Sequence, residues 1–554
     1  MSNRLLMKCF LAVAVLVNIA WASSSAVAQK FDEKFEDWPI DLKINGRIIV
    51  DNGAQDLQAH GRLLESIGSE SNIVCFSDNS SPASLLATAL KERDDEDGSV
   101  KAVNYDEGFP ASKLKEALQE SDVVVLQTGS SFRENLEALG DLKADFDSFI
   151  GKGGTLVADQ STAELLGEYF VKQDSAGQAS QVAPGLHLLP DCVLHCGFDN
   201  SSEARAEILS VLAKHPRCVG IGLEDDSVLM LAGRKMTCQG SGDATFMLMA
   251  NERMPLRTRT IRGQRNRVDL TQWRLDAIDR TLDAFPTAEP ETPFLDNGTL
   301  VIVGGGGMPR GLMRRFVELA GGVENAKLVY VPCSEADSVG ERQGTVSSWK
   351  RMGVKSATFI HTKDREKANS DEEFLAPLKD ATGVWFGGGR QWNLADSYYG
   401  TEAHRLMKEV LQRGGVVGGS SAGASIQARY LARANTVGNL EIIAPGYERG
   451  GLGFISGVAI DQHFSQRGRQ KDMTQLVNKY PQLLGIGLDE ATAIVVQKSN
   501  AEVVGRGRAH FYNRELPVYP DKPDFIALPD GSSYDLAERK VLTDTSEDGG
   551  AAKQ

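Results

Sequence analysis

Three groups of residues have the types and spacing for acyl-transfer chemistry. Gly419-Ser420-Ser421-Ala422-Gly423 follows the apolar pair Val416-Val417 and opens an alanine-rich stretch. A G-x-S-x-G turn between strand and helix lifts its serine above the sheet, and only small neighbours fit beside it. The N–H of Ala422 is then placed to bind an oxyanion. A serine hydroxyl needs a base, and the base needs an acid to orient it. His463 ends the apolar run Val458-Ala-Ile-Asp-Gln, and Asp489 and Glu490 end the run Leu484-Gly-Ile-Gly-Leu. All three groups fall at the carboxyl ends of expected strands, where open α/β sheets build their sites. The chain order is Ser, His, acid, whereas α/β-hydrolases run Ser, acid, His. The competing reading of the glycine turn, taken alone, is a phosphate cradle at a helix N-terminus.

The elements that must position these groups are written twice. Gly46-Arg-Ile-Ile-Val-Asp-Asn-Gly53 parallels Gly298-Thr-Leu-Val-Ile-Val-Gly-Gly305, and Asp122-Val-Val-Val-Leu-Gln-Thr-Gly129 parallels Thr382-Gly-Val-Trp-Phe-Gly-Gly-Gly389. Gly153-Gly-Thr-Leu-Val-Ala-Asp-Gln160 parallels Gly414-Gly-Val-Val-Gly-Gly-Ser-Ser421, and His215–Asp225 parallels Tyr480–Glu490. The offsets are 252, 260, 261 and 265. Four matches in order, three of them at nearly constant spacing, argue for an internal duplication. Within each copy, runs such as Val123–Leu126 and Val301–Val303 read as buried parallel strands. Asp141–Ile150 and Glu402–Gln412 read as helices. The expected fold is two tandem doubly wound α/β domains of flavodoxin-like type. Their bounds are 42–284 and 297–542. The linker 285–296 holds Phe285-Pro-Thr-Ala-Glu-Pro-Glu-Thr-Pro293, and a polar tail at 543–554 is expected to be disordered. Asp269–Asp283 carries Leu270, Trp273, Ala277, Ile278 and Leu282 at helical spacing, which predicts a packed connecting helix.

At 554 residues the chain is too long for one ordinary domain. Its 60 basic against 75 acidic side chains give a net charge of −15, a poor basis for sequence-independent nucleic-acid binding. Arg4 and Lys8 precede the apolar run Cys9–Val17, and Ser23-Ser-Ser-Ala-Val-Ala28 follows. This pattern predicts a signal peptide over 1–28, cleaved after Ala28, and a secreted or periplasmic protein. The run is interrupted by Asn18 and is short for a ~20-residue span, so no stable membrane span is expected. Six further cysteines could pair outside the cytoplasm, in a pattern that spacing does not give. Cys192-x-x-x-Cys196 with His195 between lacks a second ligand pair, so neither a metal nor an organic cofactor is expected.

Taken together, Gly419–Ala424, Asp461-Gln-His-Phe-Ser-Gln-Arg467-Gly-Arg469 and Gly485–Ala493 resemble the cyanophycinases. These are serine peptidases related to dipeptidase E, with a class I glutamine amidotransferase-like fold. The resemblance covers Gly298 to Tyr512. It implies Ser421 as nucleophile, His463 as general base and Glu490 as the orienting acid. It implies that Gly387-Gly-Gly-Arg-Gln391 is a substrate loop. There Gln391 binds substrate, and Gly388 and Gly389 complete the oxyanion hole with Ala422. Asp461, Gln462, Arg467 and Arg469 match positions lining the family's aspartyl-arginine pocket. Cyanophycin is poly-aspartate with arginine on each side-chain carboxylate. Arginines such as Arg467 and Arg469 can hold its free carboxylates, and Asp461 could face its guanidinium. One position departs: an arginine is expected where this chain has Asp472, and the reversed charge should reject a carboxylate the family accepts.

The function so implied is a secreted serine peptidase hydrolysing aspartyl or β-aspartyl bonds of the Asp-Arg type. Its substrate would be a peptide or a poly-aspartate-arginine chain. The rival is a non-catalytic extracytoplasmic protein that binds peptide or polymer. Glutamine amidotransferase chemistry is disfavoured, because that class uses cysteine where this elbow has serine. Across the duplication Ser421 falls on Gln160, His463 on Gly197 and Glu490 on Asp225, with Ala158 and Thr162 replacing the elbow glycines. The first copy is therefore expected to be non-catalytic. The assemblies to be distinguished are an intramolecular pseudo-dimer and a homodimer.

Overall fold

The computed structural model describes residue 38 and residues 45–53, 71–78, 100–105, 109–127, 139–173, 179–437 and 441–546. The signal-peptide segment and residues 547–554 lie outside these ranges. In the first half the strands are β1 (Arg47–Asn52), β2 (Ile73–Asp78), β3 (Val100–Tyr105), β4 (Val123–Gln127), β5 (Thr155–Asp159), β6 (Gly167–Gln173) and β7 (Ala179–Pro184), then β8 (Leu189–Cys196), β9 (Val219–Leu223), β10 (Ser227–Ala232), β11 (Lys235–Gly240), β12 (Ala244–Leu248), β13 (Arg257–Ile261) and β14 (Gly263–Asp269). The second half begins with β15 (Thr299–Val303), β16 (Lys327–Val331), β17 (Ser356–Phe359), β18 (Gly383–Phe386), β19 (Val416–Ser420), β20 (Ala428–Tyr430) and β21 (Ile455–Gln462). It continues with β22 (Leu484–Leu488), β23 (Thr492–Gln497), β24 (Asn500–Gly505), β25 (Ala509–Tyr512), β26 (Ile526–Leu528), β27 (Ser533–Asp535) and β28 (Lys540–Thr543).

Each half holds two sheets. The large sheets run β3-β2-β4-β5-β1-β10-β11-β14 and β17-β16-β18-β19-β15-β23-β24-β27-β28. The smaller ones run β7-β6-β8-β9-β12-β13 and β20-β21-β22-β25-β26. Strand for strand, β3 through β11 and β17 through β24 follow one order. The registers agree as well, since Arg47 faces Thr155 and Thr299 faces Val416 at matching positions. The small sheets were not expected from the sequence.

Alternation along the buried strands explains the layering. Leu300, Ile302 and Val417 enter a core with Leu406 and Val410 of the helix Glu402–Gln412. Val301, Val303 and Val416 face Phe316 and Trp349, on helices Leu312–Leu319 and Gly344–Met352, across the other side. A parallel sheet covered on both faces needs such continuous apolar strands. The expected helix at Asp141–Ile150 begins later, at Lys143, and ends at Gly151, because a turn from Leu139 to Leu142 precedes it. The C-terminal segment is paired as far as Thr543, and Thr545 bonds Ser532 and Asp530, so the boundary at 543 is corrected.

The connecting helix spans Leu270–Asp279, shorter than Asp269–Asp283, because Asp269 is its cap and accepts from Gln272 N at 3.0 Å. Trp273 packs into the core of the first half and Leu275 into that of the second. Burial on both sides explains why polar residues of this helix are also hidden. A buried ion pair crosses the same seam. Arg234 bonds Asp396 at 2.6 Å and the Tyr447 hydroxyl at 2.5 Å, and its guanidinium lies over the Trp392 ring. Among the described residues no helix is long and apolar enough to cross a membrane.

Candidate active site

Five strand ends converge on one place: those of β15, β18 and β19 from the large sheet, and of β21 and β22 from the small one. Ser421 follows β19 directly and adopts φ 58°, ψ −115°. A side chain held in that region costs on the order of 1–3 kcal/mol and persists only where its surroundings demand it. Here the demand comes from both motif glycines. A Cβ on Gly419 would overlap the carbonyl of Gly423, and one on Gly423 would overlap the carbonyl of Phe386. Ser421 N–H is fixed on Val303 O at 3.0 Å.

His463 ends β21 with φ 51° and its N–H on Gly304 O at 2.7 Å. Ser421 Oγ stands 3.0 Å from His463 Nε2. His463 Nδ1 stands 2.5 Å from Glu490 Oε1. A carboxylate on Nδ1 selects the tautomer whose Nε2 lone pair faces the serine. The pattern had left Asp489 and Glu490 both open. Asp489 turns away and accepts from Ser465 N and Arg508 N at 3.0 Å each. Burial opposes its charge, but hydrogen bonds from His510 and Ser465 outweigh that and hold its carboxyl at about 2.

The loop after β15 fixes how close these groups come. A Cβ on Gly305 would lie 2.5 Å from the His463 ring, and one on Gly306 would overlap the Glu490 carboxyl. Gly306→Ala is therefore expected to displace Glu490 and lower kcat about 100-fold, the scale of a misplacement near 1 Å. Steady-state kinetics beside an unchanged far-ultraviolet spectrum checks this; wild-type turnover would sink it. Across the site, a Cβ on Gly388 would be 3.4 Å from Ser421 Cβ. The N–H groups of Gly388, Gly389 and Ala422 donate to no acceptor among the described residues, and Ala422 opens a helix whose first donors have no partner within it.

The expected substrate pocket is arranged differently. Gln391 is buried, and its Nε2 donates to Ala432 O at 2.8 Å and Arg433 O at 2.6 Å. Its Nε2 ties the loop to a neighbouring segment. Asp461 is fully buried and accepts from Arg433 Nη2 at 2.8 Å and Arg469 Nη1 at 3.0 Å. It cannot also face a substrate guanidinium, because a buried carboxylate is closed on the cations that neutralise it. Arg469 is buried with it and also donates to Gln462 O at 2.6 Å. Gln462 is buried, and its Oε1 has no partner among the described residues. Arg467 alone of the expected cations is exposed, in the turn directly after His463.

Sequence reasoning missed Arg433. It lies in an aperiodic segment after β20, at φ 58°, and donates to Asp472 Oδ2 at 2.8 Å as well as to Asp461. The only signal for it was Asp472 itself, since a reversed charge calls for a cation nearby.

In the first half the carried-over positions do meet. A Cβ on Gly197 would lie 3.3 Å from Gln160 Nε2 and 3.8 Å from Asp225 Oδ1. The turn is an ordinary helix start. Asp159 caps Thr162 N at 2.9 Å and accepts from Ser161 Oγ at 2.8 Å, and Gln160 has no positive φ. Burial raises the Asp159 carboxyl, against the hydrogen bonds of Thr162 and Ser161. No hydroxyl faces an imidazole there. Cys192 and Cys196 are buried, and His195 lies between Glu164 and Glu207.

Residues 294–504 match the model of peptidase family S51. The chain is 30% identical over 232 residues to a cyanophycinase of Geminocystis herdmanii, covering 41% of this chain and 84% of that protein. It is 26% identical over 274 residues to a cyanophycinase of Trichormus variabilis, covering 46% of this chain and 91% of that protein. A solved peptidase from an acI-B1 Actinobacterium superposes on 44% of this chain and 98% of its own, with 23% identity and a TM-score of 0.33. Through its C-terminal half, the chain belongs to peptidase family S51 and is a serine-type peptidase.

Proposed function

We propose that the protein is an exported peptidase that hydrolyses aspartyl or β-aspartyl bonds of the Asp-Arg type through Ser421, His463 and Glu490. One observation carries this: the unbroken series from Ser421 Oγ through the His463 ring to Glu490, at 3.0 and 2.5 Å. In this scheme Ser421 Oγ attacks the scissile carbonyl carbon while His463 Nε2 takes its proton. The oxyanion settles on the N–H groups of Gly388, Gly389 and Ala422. His463 then returns the proton to the leaving amine, and water releases the acyl group by the same route. Glu490 holds the imidazole and stabilises it when charged.

The relatives named as cyanophycinases support an aspartyl substrate, while the pocket supports an altered one. Asp461 and Arg469 are closed on each other, and the open cation is Arg467. Asp472 is 44% exposed at its side chain and adds a carboxylate at the rim. The shared strand order supports descent of both halves from one duplicated domain. The first half, with Gln160 and Gly197 at the positions of Ser421 and His463, is non-catalytic and pairs with the second inside one chain. The N-terminal charge pattern supports export.

Labelling with a fluorophosphonate probe, followed by a panel of α- and β-aspartyl dipeptides and insoluble cyanophycin, tests the reading. Labelling at Ser421 and release of β-aspartyl-arginine are expected. Cleavage of other aspartyl peptides alone would move the substrate and keep the mechanism. Peptide binding without labelling or turnover would favour the non-catalytic rival.

A further inference from the structure

A glutamine of the first half reaches a segment beside the candidate pocket of the second. Gln272 lies on the connecting helix and is buried. Its Oε1 accepts from Thr436 Oγ1 at 2.8 Å and Thr436 N at 3.3 Å. Its Nε2 donates to Pro445 O at 3.2 Å. Thr436 and Pro445 stand on the outgoing and returning legs of one segment, the strap that leaves β20. Gly446, at φ 92°, lies so close under the helix that a Cβ there would be 2.7 Å from both Asp276 N and Gln272 O. The first half thus grips the strap at both legs.

The other end of the strap serves the site. Ala432 O and Arg433 O receive the Gln391 amide, which anchors the loop bearing Gly388 and Gly389. Arg433 places its guanidinium on Asp461, two residues before His463, and on Asp472. Arg433 sits at φ 58°, a conformation that persists only when its surroundings over-determine it. Within the strap, Arg433 N–H crosses to Ile442 O at 2.8 Å. Leu431 N–H crosses to Glu448 O at 2.9 Å where the strap leaves and returns, and Gln272 bridges Thr436 to Pro445 between these two ties.

We infer that Gln272 is a positioning residue: through it the first half holds the strap, and the strap sets Arg433 and the Gln391 loop for substrate. The inference rests on the peptidase reading above. It also makes a selective claim. Ser421, His463 and Glu490 are held by β19, β21, β22 and Gly304–Gly306, whereas the side chain of Gln272 bonds Thr436 and Pro445. Loosening the strap should therefore weaken recognition of the peptide more than the reactivity of the serine.

The test uses the full mature chain and four variants: Gln272→Ala, Gln272→Glu, Thr436→Val and Thr436→Ser. Gln272→Ala is expected to lower kcat/KM on the cleaved aspartyl peptide about tenfold, mostly through KM, since it removes several buried hydrogen bonds at once. Fluorophosphonate labelling of Ser421 should fall clearly less than kcat/KM, because Ser421, His463 and Glu490 keep their contacts and only the oxyanion donors on the Gln391 loop are loosened. Gln272→Glu keeps the acceptor for Thr436 and loses the donor to Pro445, so its loss should be intermediate. Thr436→Ser should retain activity where Thr436→Val loses it. Unchanged kcat/KM in both Gln272→Ala and Thr436→Val would overturn the inference. So would labelling falling by the same factor as turnover, which marks a general loss of folded protein. A wild type that neither labels nor turns over would instead overturn the peptidase reading, and the inference with it.

Discussion

Ser421→Ala is expected to lower kcat by about 10⁵- to 10⁶-fold, with KM changed only a few-fold. The variant removes the attacking oxygen and leaves the pocket, so what remains is catalysis by the oxyanion donors and binding. His463→Ala should cost about as much, and the double variant no more, because nucleophile and base act as one unit. Glu490→Gln is expected to cost about 10⁴-fold, since an amide on Nδ1 can hold the wrong tautomer. The neighbouring carboxylate supplies the control. Asp489 accepts from two backbone N–H groups and stands 3.2 Å from His510 Nε2. Asp489→Asn should therefore lower the melting temperature and leave the triad's kcat largely in place. Steady-state kinetics on the cleaved peptide decides this. Activity above one per cent in purified Ser421→Ala, or a larger kcat loss in Asp489→Asn than in Glu490→Gln, would sink the assignment.

The parts of the site that were legible in the sequence are those written locally. Val416–Gly423 carries its own explanation: a doubly covered strand must be apolar, and the elbow's backbone contacts admit only glycine at Gly419 and Gly423. His463 and Glu490 were legible because each follows an apolar run. The pocket was not legible in this way. Gln391 and Asp461 were matched by position, yet they find partners in Ala432 and Arg433, in a stretch with no periodicity and a left-handed arginine. Position in a motif says where a side chain starts, not what neutralises it. The connecting helix shows the same limit. Its apolar stripe predicted packing, but the burial of Gln272, Arg274 and Asp276 arises from a second core that meets the same helix. A hydrophobic pattern registers one buried face, and here there are two.

The seam between the halves should weaken as pH rises from 4.5 to 7. Glu448 lies in the turn Glu448–Gly450 and is buried, with Gly446 N–H on its Oε2 at 2.9 Å. Burial, reinforced by the negative charges of Asp279 and Asp276 across the seam, pushes its carboxyl from 4.5 to about 7, against a backbone hydrogen bond and the charge of Lys479. Those two aspartates are themselves paired, Asp279 with Arg449 and Asp276 with Arg257 and Arg280. Their cations are therefore already committed, and Glu448 is left to carry a proton in the folded state. Between the two values the folded chain binds more protons at this site than the unfolded chain, so stability falls as pH rises and levels off above 7. The contribution is about 3 kcal/mol across the window, at 1.36 kcal/mol for each pH decade. Glu448→Gln keeps an acceptor for Gly446 and removes the charge. It should stabilise the seam by up to about 3 kcal/mol at pH 8 and have little effect at pH 5, where the native carboxyl is already neutral. A chain this large need not unfold in one step, so hydrogen exchange of residues 441–450 and 270–280 from pH 5 to 8 is the proper readout. The same pH slope in wild type and Glu448→Gln would place the sensitivity elsewhere. A slope confined to wild type would make the protonated Glu448 part of what joins the two halves.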